Sequence, residues 1–137
     1  MAFNFDKKIR EFKSLKKDLP VKIGNIAKNH YVKSFRDQGF TDEKLNPWAS
    51  RKRPSRSDKR NRGNRAILIK SGQLRRSIRV GRATFNRIEV GSYGIKYARF
   101  HNRGEGNLPV RKFVGSSQVM NQKIIMKIRK EVKDIFK

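Results

Sequence analysis

At 137 residues the chain can form one compact unit with its own core but not two comfortable ones, so a single domain over residues 1–137 is expected. Thirty-six Lys and Arg stand against eleven Asp and Glu, a formal charge of +25, so the chain attracts polyanions and repels itself when compact. It has no cysteine, which excludes disulfides and thiolate metal sites, and no apolar run approaches the roughly 20 residues of a membrane span. Met1 to Lys8 hold no apolar leader core, so the expectation is a protein made and kept in a cytoplasm, without membrane contact.

The first predicted element is an amphipathic helix. Phe5, Ile9, Phe12, Leu15 and Leu19 fall at helical spacing on one stripe, a core-facing pattern, with Lys7, Lys8, Arg10, Lys13, Lys16 and Lys17 over much of the rest. Asp18 and Pro20 read as a stop and restart, because proline is tolerated in a first helical turn. A second helix follows with Ile23, Ile26, Ala27, His30, Ser34 and Phe35 on one face. It ends at Gly39, which can take a left-handed conformation and let Phe40 fold back. His30 is expected to be a satisfied core or boundary histidine, since no second His, Asp or Glu stands one turn away to complete a metal pair. Trp48, the only tryptophan, is expected to plug one end of the core.

Residues 51–65 carry eight basic side chains, Arg51, Lys52, Arg53, Arg56, Lys59, Arg60, Arg62 and Arg65, against one acid, Asp58, with nothing apolar to bury. An exposed loop is expected. Two functional readings stand beside a plain solvated loop: contact with phosphates, which needs only flexible cations, or docking on an acidic protein surface. The nuclear-localisation pattern it also fits is shared by many unrelated basic loops.

Ala66 to Ile69 read as buried, Gly72 as a turn, and Leu74 as the inward residue of a single helical turn with Arg75 beside it. The period then changes to two. Ile78 and Val80 alternate with Arg79 and Gly81, and Ile88 and Val90 with Glu89 and Gly91, the pattern of two half-buried strands joined by a turn over Arg82 to Arg87. Arg79 and Arg87 would share a solvated face with Glu89. Lys96 to Gly104 read as partly helical with Gly104 as terminator. His101-Asn102-Arg103-Gly104-Glu105 superficially suggests a nuclease, but no paired acids or second histidine accompany it, so no catalytic residue, metal or cofactor is assigned.

Leu108 to Gly115 read as extended, with Pro109 biasing Leu108 away from helix. Phe113 is the expected core anchor, and Arg111 a candidate for an inter-subunit or loop-fixing ion pair. Ser116 or Ser117 starts a last helix, in which Met120, Ile124, Ile125, Ile128, Val132, Ile135 and Phe136 form a wide stripe. That stripe fits packing against the first helix or against a neighbour. The fold class expected is α+β: helices at both ends, a small antiparallel sheet between them, and one long basic loop.

Read as an ordered set, Ser71-Gly72-Gln73-Leu74-Arg75-Arg76-Ser77-Ile78, the hairpin closing in Val90-Gly91-Ser92, Tyr97-Ala98-Arg99-Phe100-His101-Asn102-Arg103-Gly104 and Pro109-Val110-Arg111-Lys112-Phe113-Val114-Gly115 resemble the virion-morphogenesis or tail-completion family of tailed bacteriophages. That group includes the tail-completion protein of phage Mu. The resemblance covers the central third well and extends loosely upstream through Ser34-Phe35 and Trp48. It implies a structural protein of the phage neck or tail end, located in the virion and without chemistry of its own. The implied assembly is a homo-oligomeric ring, hexameric by analogy, that meets other connector or tail proteins, with packaged DNA as a further contact. On this reading Gly72, Leu74, Arg75, Tyr97, His101, Pro109, Arg111 and Phe113 are the motif or subunit-interface residues, His101 having a positional role. The rival expectation is a non-specific nucleic-acid-binding protein, supported by charge but lacking an aromatic stacking platform or a recognised binding motif.

Overall fold

A computed structural model describes residues 2–52 and 66–137 of the chain. The elements are α1 (Phe5–Asp37), β1 (Gly39–Thr41), β2 (Leu45–Pro47), α2 (Gln73–Arg76), β3 (Ile78–Thr84), β4 (Arg87–Ser92), α3 (Ala98–Arg103) and α4 (Gln118–Ile135). The class is α+β, as expected. In place of the expected single small sheet there are two antiparallel pairs, β1 with β2 and β3 with β4.

The two expected N-terminal helices are one. α1 runs for 33 residues straight through Pro20, although an internal proline removes a hydrogen bond and costs about 3 kcal/mol. Packing offsets that cost. Leu15 and Leu19 are buried with Ile135 of α4, with Ile23, Ile128 and Val132 packed around them. Lys22 of α1 reaches Glu131 of α4 at 2.9 Å, and Lys127 reaches the same carboxylate at 2.9 Å. Asn4 caps α1 by accepting from the Lys7 N–H. The helix ends on Gln38, which takes the left-handed conformation expected of Gly39. Gly39 instead opens β1, where a Cβ would stand 2.5 Å from the Asn46 carbonyl oxygen. Gly24 serves a similar close approach: its missing side chain leaves room for Val80 of β3 against α1.

The main core gathers around the second half of α1. Phe35 is fully buried, with Trp48 edge-on at 5.5 Å and Phe113 tilted at 5.3 Å between ring centroids. Ala27, Tyr31, Phe40, Leu74, Ile78, Ala98 and Met120 complete it. Trp48 fills the expected core position, and its Nε1–H donates to the Lys112 carbonyl. Residues 66–69 are half-buried rather than buried. They are pinned by Gln38, whose side chain accepts from the Ile67 N–H and donates to the Ile67 carbonyl.

β3 and β4 form the expected hairpin, but Arg82 to Thr84 belong to the strand and the turn is shorter than predicted. The register pairs Val80 with Val90 and Thr84 with Arg87, shifting between Val80 and Ala83. Arg87 meets Glu89 at 2.6 Å on the exposed face, whereas Arg79 lies over the Tyr93 ring instead. α4 starts at Ser117, as expected. The Ser117 hydroxyl accepts from the Met120 N–H and donates to the Thr41 carbonyl, and Asp42 accepts from the Gln118 N–H.

The apolar stripe of α1 is not core-facing throughout. Leu15 and Leu19 are buried, while Phe5, Ile9 and Phe12 stay exposed because α4 ends at Ile135 and nothing among the described residues covers them. Likewise the stripe of α4 splits: Met120 and Ile135 face inward, and Ile125 and Phe136 are exposed.

Candidate functional site

The residues that carry the sequence motif converge around α3 and the segment that follows it. Ala98 of α3 is buried in the main core. Gly104 ends the helix in the left-handed region, with its N–H on the Phe100 carbonyl. The chain then returns past α3, and the Arg111 N–H donates to the His101 carbonyl at 2.8 Å.

Residues 108–115 are expected to be extended, and they run without a strand ladder. Side chains take the place of a partner strand. Asn102 Oδ1 accepts from the N–H groups of Phe113 (2.8 Å) and Val114 (3.0 Å), and its Nδ2 donates to the Val114 carbonyl at 3.1 Å. Trp48 takes the Lys112 carbonyl, and the Tyr31 hydroxyl donates to the Gly115 carbonyl. Phe113 is the core anchor predicted for it, 1% exposed.

Arg111 differs from expectation. It is buried, and its Nε and Nη2 both donate to the Ala49 carbonyl, at 3.1 and 2.8 Å. It therefore fixes a loop through a backbone oxygen, and among the described residues no carboxylate pairs with it. Burial, with the nearby Arg51 charge, lowers its pKa from the usual arginine value.

Ala49 to Lys52 and Asn107 to Pro109 join Arg111 around a cleft of about 490 Å³. Thus Arg51 and Lys52 of the basic group come together with Pro109 and Arg111 of the motif group. Arg51 also donates to the Ala66 carbonyl at 3.0 Å, holding together the two ends that flank residues 53–65. Arg53, Arg56, Lys59, Arg60, Arg62 and Arg65 lie outside the described residues. Beside this cleft Leu108 is partly open and Val110 is 61% exposed.

Tyr97 and His101 meet edge to face at 6.0 Å and border a smaller hollow with Leu68 and Leu74. Gly72, in the left-handed region, starts α2. Leu74 points into the core, whereas Arg75 is exposed and lines a separate depression with Phe35 and Ile69. The motif is therefore one side-chain framework with three surfaces, not one pocket. Asn102 and Gln38, which do most of the backbone pinning, carry no spacing signal in the sequence, because each acts on a segment ten or more residues away.

No metal centre arises from these groups: among the described residues no three His, Asp or Glu side chains cluster. His30 Nε2 donates to the Thr41 carbonyl at 2.9 Å as a boundary histidine. Burial lowers the pKa of His30, and it lowers that of His101, helped by the Arg111 charge. The unfolded chain thus binds more protons at these positions than the folded one. Stability should be level above the ordinary histidine pKa of 6.5 and fall as pH drops through it toward the depressed folded values. Glu131, held at about 2 by Lys22 and Lys127, does not titrate in that window. A melting temperature lower at about pH 5 than at about pH 7.5 is expected, and an unchanged or higher value would contradict the assignment.

Among the described residues no helix is long and apolar enough to cross a membrane. No curated protein and no solved structure matches the chain. The sequence model of the phage virion morphogenesis family matches residues 11–133. That span takes in α1 from Glu11 onward, both strand pairs, the Asn102 framework and nearly all of α4, and so the chain belongs to the phage virion morphogenesis family.

Proposed function

We propose that the protein is a structural component of the neck or tail end of a tailed phage, completing the tail as a homo-oligomeric ring. In this reading it assembles in the host cytoplasm, performs no catalysis, and works through complementary interfaces with its own copies and with adjoining connector or tail proteins. The observation that carries the reading is the convergence of two sequence groups at one edge. Cationic Arg51 and Lys52 share a cleft with Pro109 and Arg111, beside exposed Leu108 and Val110. A surface that mixes open apolar groups with fixed cations suits a protein interface better than a substrate pocket. Phe113 and Arg111 contribute by holding that edge in shape from inside. A ring closes when one such face meets a different face of the next copy, repeated by rotation. Six copies is the number carried over by analogy with the family.

The charge of +25 favours a second reading, in which binding nucleic acid is the function and not a neighbour effect. Replacing Arg53, Arg56, Lys59, Arg60, Arg62 and Arg65 with Ser or Gly, while keeping Arg51 and Lys52 of the cleft, separates the two. The ring reading expects the variant to assemble and to lose only salt-sensitive DNA affinity. Loss of tail joining with DNA affinity unchanged would assign the segment to docking on another virion protein. A variant that loses all DNA binding, from a parent that never assembles, would establish the nucleic-acid reading.

A further inference from the structure

The far end of the molecule, where α1 begins and α4 ends, carries a surface that the ring reading does not use. Phe5, Ile9 and Phe12 of α1 and Phe136 after α4 wall an open groove of about 530 Å³, with Phe3 set edge-on to Phe5 at 4.8 Å. Phe5 is 70% exposed and Phe136 58%. Clustered aromatic groups at such exposure mark a contact surface. The same groove is bordered by Lys8, Lys13 and Lys16; Lys8 is already held by Glu11 at 3.3 Å and by the Ile135 carbonyl, so Lys13 and Lys16, the latter over the Phe85 ring, are the cations it offers.

Those lysines decide the occupant. A second copy seated here in two-fold fashion would bring two lysine rims together, and like charges facing each other across an interface select against that partner. The strongly basic segment 51–65 of the chain itself is disfavoured for the same reason. We infer that the groove receives an amphipathic helix of a partner protein, one that lays large apolar side chains between Phe5, Ile9, Phe12 and Phe136 and presents carboxylates to Lys13 and Lys16. Helices that dock in grooves do so with apolar anchors at i, i+3 or i+4, and i+7, and the acidic flanks set register and speed encounter. The groove's length along α1, from Phe5 to Lys16, is three helical turns, which matches such a set of anchors. This inference goes beyond the ring and does not depend on it.

The test uses the full chain and a labelled synthetic helix with leucines at those anchor positions and glutamates on both flanks, followed by fluorescence anisotropy. Saturable binding is expected, weaker at about 500 mM than at about 150 mM salt. A Phe5→Ala/Phe12→Ala double variant should bind at least about tenfold more weakly, the size of effect given by truncating interface anchors. Because both rings are exposed, the double variant should melt like the parent, and a Phe136→Ala variant provides a second reading. The matching peptide with lysine in place of glutamate should not bind. Equal binding by the lysine peptide, or glutamate-peptide binding that the phenylalanine variants leave unchanged, would overturn the inference. So would stronger binding to vesicles of anionic phospholipid than to the peptide. A drop in oligomer mass in the double variant would instead assign the groove to a second copy, whereas failure of the parent to oligomerise would count only against the ring.

Discussion

Phe113→Ala is expected to destabilise the protein by about 3–5 kcal/mol, the range for truncating a buried aromatic ring. Phe113 is almost fully enclosed, and its ring is in contact with Phe35, which in turn meets Trp48. The cavity left behind would lie between α1, the β1–β2 pair and the 111–115 segment, where three separate parts of the chain are joined. Native domains are stable by only about 5–15 kcal/mol, so the variant should be near its folding limit at 37 °C. Urea unfolding measures the loss. Phe113→Leu, which keeps most of the volume, should cost less than about 1.5 kcal/mol. Phe5→Ala, at an exposed position, should change stability by no more than about 0.5 kcal/mol. If Phe113→Ala cost less than Phe113→Leu, the ring would not be the anchor described here.

The second large effect is expected at Asn102. Its amide accepts from two backbone N–H groups and donates to one carbonyl. Alanine would leave these partly buried groups without partners, at about 1–3 kcal/mol for each one that water cannot reach. A total of about 2–4 kcal/mol is expected. Asn102→Asp is the informative comparison, because it keeps an acceptor for both N–H groups while replacing the donor with a second oxygen that must turn away from the Val114 carbonyl. It should recover more than half of the alanine loss at neutral pH. An aspartate variant as unstable as the alanine one would mean that packing of the side chain, not its acceptor, holds the segment. Because the Asn102 framework positions Arg111 and the open Leu108 and Val110, the alanine variant should also assemble poorly under conditions where it remains folded.

The two ends of the fold were legible because long helices repeat their apolar pattern. Leu15 and Leu19 in α1, and Met120 and Ile135 in α4, are buried as their spacing predicts. Pro20 was misleading because local propensity argues for a break, while the gain from packing α1 on α4 is a tertiary effect that no local window contains. The exposure of Phe5, Ile9 and Phe12 was hidden for a related reason: a stripe records which residues share a face, not whether a partner extends far enough to cover it. β1 and β2 are three residues each and show no alternation, so they leave no pattern to find. At residues 108–115 the alternation was real, with Arg111 and Phe113 turned inward, but alternation reports sidedness and not a hydrogen-bonded strand. The partners there are the side chains of Asn102, Trp48 and Tyr31, which come together only in the folded chain.

The motif itself was legible as an ordered set, and the family match extends it from the central third to residues 11–133. Which motif residues face inward was partly legible. Phe113 and Leu74 were assigned correctly as apolar anchors, but a buried arginine satisfied by the Ala49 carbonyl cannot be told by sequence from one awaiting a carboxylate.

The proposed role requires the protein to assemble through its own interfaces. Its mass in solution, measured by light scattering behind a sizing column at about 150 mM and again at about 500 mM salt, tests that most directly. A discrete oligomer of the same size in both buffers is predicted, because the contacts proposed around the exposed Leu108 and Val110 would be apolar and resist screening. A monomer in both buffers would contradict that role, and a DNA titration with its salt slope would then test nucleic-acid binding as the function.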